Sequence, residues 1–271
     1  LSAFLIKDAL KSTKIPGEAV NEIILGQVLT AGTGQAPARQ AALHGGLPHS
    51  VCATTINRVC GSGLKSIMLA AQAIRCQDAN VIFCGGQENM SLAPHLLTNS
   101  RTGYRFGNIE CKDHMQFDGL WDPYNQIPMG ECGEFCAREF HFTREQQDAY
   151  AIESYERARK AQVSGQFQNE ILPIDIVQKK QTIRFDQDEE PQSADLTKLP
   201  TLKPAFAKDG TITAANASSI NDGAAILLVM SEKKAREFNL KPLAKILNQD
   251  SYAHDPKMFT TAPIHSIQRL L

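Results

Sequence analysis

The chain has 271 residues, of which 42% are hydrophobic, and its formal net charge is -1. A chain of this length can bury a large core, and the length predicts one large domain or two ordinary ones. The balanced charge argues against a nucleic-acid partner, and the apolar runs, far shorter than a membrane span, argue against a membrane partner.

Seven cysteines are present, an odd number in a chain too long to depend on disulfides. This usage favours a reducing compartment, so we predict a cytoplasmic protein. Charged residues follow the opening residues 1–4, and neither a signal peptide nor an anchor is predicted. Four of the cysteines are expected to pack as small apolar side chains: Cys52, Cys76, Cys84 and Cys111.

Hydrophobic patterns predict alternating helices and strands over the first part of the chain. The predicted elements are a helix over 4–14, a buried strand over 20–28, a helix over 40–45, a strand over 52–59, a helix over 64–74 and a strand over 81–84. Strand, helix and strand in this order form a βαβ unit, whose strands are parallel in one sheet. The predicted fold class is α/β.

The regular periodicity ends near Ser91, and Pro and Gly residues punctuate the chain up to about Asn216. This stretch is predicted to be an inserted irregular domain with one charged helix over 143–164. Its acidic residues within 186–190 are predicted to form a solvated loop. Beyond the insertion, we expect a buried strand over 224–230, a helix over 232–238 and a strand over 243–247.

Cys60 lies between a strand pattern and an apolar helix pattern and is followed by Gly61, Ser62 and Gly63. The two glycines are expected to let the backbone turn tightly, and the first N–H groups of the helix favour the thiolate form of the sulfur. A helix terminus contributes only about 0.3–1 kcal/mol, so a second basic group, usually a histidine, is expected to complete the activation. The pattern predicts a nucleophile at a strand-turn-helix junction.

Further motifs accompany this junction along essentially the whole chain. They are Gly26-Gln27-Val28-Leu29-Thr30-Ala31-Gly32, Ala38-Arg39-Gln40-Ala41-Ala42, Gly85-Gly86-Gln87-Glu88-Asn89-Met90-Ser91, Gly119-Leu120-Trp121-Asp122, Leu202-Lys203-Pro204-Ala205-Phe206, Thr213-Ala214-Ala215-Asn216-Ala217-Ser218 and Asn221-Asp222-Gly223-Ala224-Ala225. In this order they resemble the thiolase family, most of all its acetyl-CoA acetyltransferase members.

The resemblance implies a layered α/β fold with a mixed sheet, helices and an inserted loop domain. It implies an N-terminal domain over 1–90 and 217–240, a CoA-binding loop domain over 91–216, and the start of a second α/β domain over 241–271. The family's opening strand, before the first helix, is not found in this sequence. In the family, an Asn-Glu motif, a Gly-His-Pro motif and a second reactive cysteine lie beyond the equivalent of Leu271, and this sequence does not contain them.

The resemblance also implies a function. Cys60 would be the nucleophile that takes an acyl group from acyl-CoA, so that two acetyl-CoA condense to acetoacetyl-CoA or the reverse thiolysis occurs. Fatty acid metabolism would be the setting, with CoA thioesters as substrates, no covalently bound cofactor, and a homodimer or homotetramer as the assembly. The pantetheine arm of CoA would contact five residues: Leu120, Met129, Phe206, Ala214 and Ser218.

The chain departs from the family pattern in places. Pro128 stands where many members have a histidine, Ser219 where they continue with glycine, and Gln192 where an arginine is usual. The segment 260–263 replaces a Gly-Met-Gly-Pro pattern. Because arginine binds phosphate in a bidentate way, its loss predicts weaker CoA binding.

Several alternatives remain open at this stage. A β-ketoacyl synthase shares the fold and the cysteine nucleophile, and a catalytically silent oligomerisation or binding module would need no complete site. Cys132 and Cys136, on one face of a predicted helix near His141, allow a metal site, although buried packing is favoured and no metal is predicted. His95 and His254 are candidate bases, with loop or surface positions the simpler expectation.

Overall fold

The computed structural model describes residues 1–178 and 181–271. It divides into two compact units. The sheet unit comprises Leu1–Trp121, Ile220–Asp250 and Leu270, and the helix unit comprises Asp122–Ser219, Ser251–Arg269 and Leu271. The three-part division expected from the sequence, 1–90 with 217–240, 91–216 and 241–271, stays a prediction.

The helices of the described residues begin and end close to the predicted positions in the first part of the chain. They are α1 Ser2–Thr13, α2 Pro37–His44, α3 Ser62–Arg75, α4 Met129–Glu139, α5 Arg144–Val163, α6 Glu189–Ser193, α7 Glu232–Glu237 and α8 Ala262–Leu270. The charged helix α5 begins with a capping box, in which Thr143 and Gln146 each accept a hydrogen bond from the other's backbone N–H. None of the helices in 1–178 and 181–271 is both long enough and apolar enough to cross a membrane.

The strands include several pairs of only two residues outside the main sheet. In chain order they are β1 Glu22–Gly26, β2 Cys52–Ile56, β3 Val81–Asn89, β4 His95–Leu96, β5 Lys112–Asp113, β6 Trp121–Asp122, β7 Ile127–Pro128, β8 Ile174–Gln178, β9 Gln181–Phe185 and β10 Asp222–Met230.

Within the described residues, four strands form the mixed sheet in the order β10-β3-β1-β2. β1 pairs in parallel with β2 and β3, whereas β10 is antiparallel to β3. Gly26 at the end of β1 lies opposite both Ile56 of β2 and Gly86 of β3. The carboxyl ends of the three parallel strands therefore meet at one edge, directly before the turn that carries Cys60. The α/β prediction is confirmed.

Alternation along the strands places a hydrophobic core on each face of the sheet. Ile23 and Leu25 point to one face, into a cluster with Ile6 of α1 and Ala38 of α2. Ile24 points to the other face, into a cluster that contains residues of α3. The sheet unit is thus a layer of helices, a sheet and a second layer of helices.

Two strand expectations need correction. The predicted strand over 243–247 is wrong, because no strand forms there among the described residues and Leu243 and Leu247 are largely exposed. The side chain of Arg75 instead donates hydrogen bonds to the carbonyl oxygens of Ile246 and Leu247. A strand needs a neighbouring backbone as well as a suitable pattern. The strand predicted over 224–230 forms, but it is half exposed because β10 is an edge strand.

The acidic stretch is only partly the predicted loop. Glu189 begins the short helix α6, and the carboxylate of Glu190 accepts a hydrogen bond of 2.7 Å from the hydroxyl of Tyr155. Asp186 and Asp188 are exposed, as predicted.

Candidate active site

The turn between β2 and α3 carries Cys60. β2 ends at Ile56 and α3 begins at Ser62 with Gly61 as its N-cap, so Cys60 lies in the connecting turn, two residues before the first residue of the helix. Its side chain is an exposed free thiol. The predicted strand-turn-helix junction is confirmed.

The prediction that Cys52, Cys76 and Cys111 pack as small apolar side chains is wrong, because all three are exposed, whereas Cys84 is buried as predicted.

Two polar side chains hold this nucleophile turn, residues 57–62, in shape. The Asn57 Oδ1 accepts a hydrogen bond of 2.8 Å from the N–H of Val59. Ser62 Oγ accepts from the N–H of Arg58 at 2.7 Å and donates to the carbonyl of Val59 at 2.6 Å. Ser62 is buried although it precedes Gly63 in a small-residue run. Neither role is indicated by the residue pattern around Cys60.

Val59 has a positive φ within the nucleophile turn. Its φ is +47°, in the left-handed region that a β-branched residue rarely adopts. The expectation that Gly61 and Gly63 provide the turn is wrong, since Gly61 has φ -84° and Gly63 lies inside α3 with no positive φ. Such strain persists only where neighbouring contacts determine the conformation, and Asn57 and Ser62 supply those contacts.

Glycines bring α3 close to the ends of the strands. A Cβ at Gly26 would lie 2.5 Å from the carbonyl carbon of Ser62, and one at Gly86 would lie 3.4 Å from the Cα of Gly63. The buried Ser66 Oγ accepts from the N–H of Gly85 and donates to its carbonyl, both at 2.8 Å. These contacts fix the start of α3, and with it Cys60, against the sheet.

The loop after β1 is tied to the end of β3. The carboxylate of Glu88 accepts hydrogen bonds from the backbone N–H groups of Val28 and Leu29, at 2.9 and 3.0 Å. Asn57 Nδ2 donates to the carbonyl of Val28 at 3.5 Å. The nucleophile turn and the loop after β1 are therefore neighbours at the same edge of the sheet.

His114 is a buried histidine that the sequence analysis missed. Its Nε2 accepts from the N–H of Ala31 at 3.3 Å, and its Nδ1 lies 2.5 Å from Asp118 Oδ2. An accepting Nε2 requires the tautomer with the proton on Nδ1, which donates to Asp118. Since both ring nitrogens are occupied, His114 orders the loop before Leu120 and is not a free base.

The two candidate bases lie elsewhere. His95 is an exposed residue of β4, paired with Asp113 of β5. His254 belongs to the helix unit, where its Nε2 lies 2.6 Å from the carbonyl oxygen of Met258 and 3.2 Å from Thr261 Oγ1. A ring nitrogen at that distance from a carbonyl acts as a donor, so this atom of His254 is not available to take a proton.

The candidate metal ligands are on α4 and just after it. Cys132 is fully buried, and burial, with the nearby Asp122 and Glu131 carboxylates, raises the pKa of its thiol. Cys136 is half-buried, and His141 is exposed. In the part of the chain that the structure describes, no group of three or more His, Cys, Asp or Glu side chains could hold a metal ion.

The five residues expected to bind CoA are divided between the units. Leu120 belongs to the sheet unit, where a Cβ added at the neighbouring Gly119 would lie 3.4 Å from Cδ2 of Leu29. The other four belong to the helix unit, with Met129 and Phe206 half-buried and Ala214 and Ser218 exposed. A Cβ at Gly130, next to Met129, would clash with the ring of Phe206, so this ring packs against α4 beside Met129.

Comparison with known proteins follows this geometry. The model of the family described as "Thiolase, N-terminal domain" matches residues 1–233. A probable acetyl-CoA acetyltransferase of Escherichia coli is 49% identical over 272 residues, covering 100% of this chain and 69% of the relative. The acetyl-CoA acetyltransferase of Cupriavidus necator is 51% identical over 273 residues, covering 100% of this chain and 70% of the relative.

Solved structures agree with these relatives. A thiolase from Ascaris suum, crystallised in complex with coenzyme A, has a TM-score of 0.94 and 41% identity, covering 100% of this chain and 69% of that one. The acetyl-CoA acetyltransferase of Bacillus anthracis has a TM-score of 0.92 and 39% identity, covering 97% of this chain and 67% of that one. With the cysteine at its strand-turn-helix junction and these matches over its length, the chain belongs to the thiolase family of acyl-transferring enzymes.

Proposed function

We propose that Cys60 carries the acyl group of a thiolase reaction. The Cys60 thiolate attacks the carbonyl carbon of acetyl-CoA, a bond between Sγ and that carbon forms, and the bond to the CoA sulfur breaks. CoA leaves as a thiolate and takes up a proton. A second acetyl-CoA then loses an α-proton to a base, which the family resemblance assigns to the second reactive cysteine beyond the equivalent of Leu271. Its α-carbon attacks the acetyl carbonyl, a carbon–carbon bond forms and the bond to Cys60 Sγ breaks, which gives acetoacetyl-CoA and the free thiolate; thiolysis is the same steps in reverse.

One observation carries this proposal, namely the exposed thiol of Cys60 two residues before the first residue of α3. Partial positive charge at a helix N-terminus stabilises a thiolate and the oxyanion that forms on attack. We propose the backbone N–H of Cys60 as one donor to that oxyanion. The names of the relatives support acetyl-CoA as the substrate.

CoA would be held along residues 91–216, acting as a loop domain, with its pantetheine arm against Leu120, Met129, Phe206, Ala214 and Ser218. The CoA bound to the Ascaris suum thiolase supports CoA as the ligand of this family fold. All five side chains keep at least part of their surface exposed, as a binding surface requires. No covalently bound cofactor enters this scheme.

Acetylation of the intact chain tests the proposal. Exposure to acetyl-CoA should add one acetyl group, and peptide mapping should locate it on Cys60 and not on Cys52, Cys76 or Cys111, which are equally free and exposed. Cys60→Ala should abolish the adduct. Acetylation spread over the exposed cysteines, or absent at every pH up to about 9, would overturn the assignment of Cys60.

The choice of acyl donor, together with sedimentation, separates the rival functions. Transfer from an acyl carrier protein but not from CoA would favour a β-ketoacyl synthase. Assembly in sedimentation without any release of CoA would favour a silent binding module. Either result would replace the thiolase proposal for this chain.

We also propose a homodimer or homotetramer in the cytoplasm. The half-exposed strand β2 forms one edge of the sheet, and an unpaired edge is able to pair with a second copy. Seven free cysteines support a reducing compartment. Sedimentation velocity that finds only monomers at micromolar concentration would contradict the assembly.

A further inference from the structure

The carboxylate of Glu134 is buried and receives an unusual number of hydrogen bonds. Only 2% of the residue is exposed. Oε1 accepts from the N–H groups of Thr211 and Ile212, each at 2.9 Å, and Oε2 accepts from the N–H and the hydroxyl of Thr211, each at 3.0 Å. A buried carboxylate is costly unless it is hydrogen-bonded, so these contacts determine where residues 211 and 212 lie.

The surface of α4 around Glu134 is shaped to the same segment. Gly130, Gly133 and Glu134 lie on one face, since residues three and four apart are neighbours on a helix. A Cβ at Gly133 would lie 2.5 Å from Cδ1 of Ile212, and one at Gly130 would clash with the ring of Phe206. Gly133 therefore lets Ile212 approach the helix, Gly130 does the same for Phe206, and Glu134 binds the backbone of residues 211 and 212.

A second buried carboxylate continues the arrangement. Asn216 accepts from the N–H of Thr213 at 2.7 Å and donates to the carbonyl of Thr211 at 3.0 Å and to Asp148 Oδ1 at 2.9 Å. Asp148 is paired with Arg144 at 2.7 Å. Residues 210–216, which we term the anchored segment, are thus held at both ends by side chains of α4 and α5.

We propose that Glu134 is a positioning residue for CoA binding. This inference rests on the proposed function, in which Phe206, Ala214 and Ser218 contact the pantetheine arm. Ala214 lies within the anchored segment, Phe206 packs on the α4 face four residues before it, and Ser218 follows two residues after it. Glu134 acts through the backbone of Thr211 and Ile212, and it does not itself touch the substrate.

CoA binding to three variants of the intact chain tests the role. Glu134→Ala removes every acceptor and should weaken CoA binding at least tenfold in titration calorimetry. Glu134→Gln keeps one carbonyl oxygen for the two N–H groups and can donate to the Thr211 hydroxyl, so it should bind within about threefold of the unsubstituted chain. Ser231→Ala, the control, removes the hydrogen bond from the N–H of Lys234 that caps α7, outside residues 91–216, and should leave CoA binding unchanged.

Alkylation of Cys60 by iodoacetamide is the second readout, because a local positioning role leaves it unchanged. CoA binding by a folded Glu134→Ala variant at unchanged affinity would overturn the inference. An equal loss of CoA binding in Ser231→Ala, or altered Cys60 alkylation in Glu134→Ala, would also overturn it, since either points to a general structural effect.

A variant that keeps the carboxylate guards against failure to fold. Thr211→Val leaves the backbone hydrogen bonds to Glu134 in place but removes the hydroxyl, which donates to Glu134 Oε2 and accepts from Gln147 Nε2, and we expect a threefold to tenfold loss of CoA affinity. Unchanged affinity in Thr211→Val would count against the positioning role even if Glu134→Ala were insoluble. If the unsubstituted chain acetylates Cys60 but the variants bind CoA normally, this inference fails alone. If the unsubstituted chain binds no CoA, both proposals fail.

Discussion

The nucleophile turn and the anchored segment both place residues of the proposed site beside a helix, but they are held in different ways. The turn is fixed by neutral side chains within four residues of the groups they bind, Asn57 and Ser62. The anchored segment is fixed by carboxylates far away in the chain, with Glu134 separated from Thr211 by 77 residues and Asp148 from Asn216 by 68.

This difference bears on how each region forms and fails. The turn can take its shape as soon as β2 and α3 meet, since its hydrogen bonds are local. The anchored segment requires α4 and α5 to be folded first, and closure of such long loops carries an entropic cost. We therefore expect substitutions in the turn to change Cys60 reactivity, and substitutions at the carboxylates to change ligand affinity.

Gly26→Ala should have the largest effect, because the new side chain would clash with the start of α3. It tests whether the turn is held only by local contacts. The new Cβ would lie 2.5 Å from backbone and side-chain carbons of Ser62 and 2.7 Å from the N of Gly63, and backbone atoms cannot move aside cheaply. We expect the free energy of unfolding to fall by about 3 kcal/mol, with reduced alkylation of Cys60. Denaturant unfolding and timed iodoacetamide labelling measure the two effects.

Gly63→Ala is the matched control. Its Cβ would meet Gly86 N at 3.8 Å, an ordinary contact, and alanine is the better helix former by about 1 kcal/mol. This variant should be as stable as the unsubstituted chain or more so. Equal losses at the two positions would show that general crowding, and not the approach of β1 to α3, sets the turn.

Features set by neighbouring residues could be predicted from the sequence, and features set by residues distant in sequence could not. The position of Cys60 between a strand and a helix, and the long helix α5, follow from patterns within a few residues, and the structure confirms them. The strain at Val59 was not predictable, because nothing in the residue type indicates a left-handed backbone. The roles of His114 and Glu134 depend on contacts with residues distant in sequence, which periodicity does not report. The strand expected at 243–247 is wrong because strand formation depends on a partner.

Ser62→Ala should have the next largest effect, because it removes both hydrogen bonds by which this side chain closes the turn. Each such bond contributes about 1 kcal/mol net, so a loss of about 2 kcal/mol is expected. The alkylation rate of Cys60 should change as well, since the N–H of Arg58 and the carbonyl of Val59 lose their hydrogen bonds to the Ser62 hydroxyl. Thermal unfolding and labelling of the same sample provide both numbers.

Ser66→Ala is a close match for this substitution. Ser66 is also buried, and its Oγ accepts from the N–H of Gly85 and has the carbonyl oxygens of Gly63 and Gly85 within donating distance, so its partners lie outside the residues that Ser62 binds. It should lose similar stability and leave Cys60 labelling unchanged. A change in labelling as large as that of Ser62→Ala would mean that the two serines act through α3 as a whole.

Two buried thiols, one in each unit, provide a pH-dependent comparison. Burial raises the pKa of Cys84, on β3 of the sheet unit, to about 12, and burial also raises the pKa of Cys132, on α4 of the helix unit. An unfolded thiol ionises near ~8.5, so above that pH the unfolded chain releases protons that the folded chain keeps. Stability from these groups is full below about pH 8.5 and falls as pH rises. The thiol of Cys84 contributes a fall of about 1.4 kcal/mol per pH unit up to its folded pKa of about 12, and the thiol of Cys132 adds to the fall in the same direction.

Unfolding curves near pH 8 and pH 10 measure this dependence. Cys84→Ala and Cys132→Ala should each flatten it, whatever their cost at pH 8. A slope that neither variant reduces would exclude the two thiols as its source. A slope that only one variant reduces would assign the alkaline sensitivity to the sheet unit or to the helix unit.

Val59→Gly should have the smallest effect, and it separates strain from hydrogen bonding within the nucleophile turn. Glycine adopts φ +47° without the roughly 1–2 kcal/mol that the left-handed region costs other residues, but it adds about 0.5–1 kcal/mol of backbone entropy to the unfolded chain. The net gain in stability should stay below about 1 kcal/mol. Ala36, also left-handed at φ +48° but at the start of α2, provides the control Ala36→Gly. Because the bonds from Asn57 and Ser62 remain, neither variant should alter Cys60 labelling. Faster or slower labelling in Val59→Gly alone would mean that the strain itself, and not the two side chains, orients the thiol.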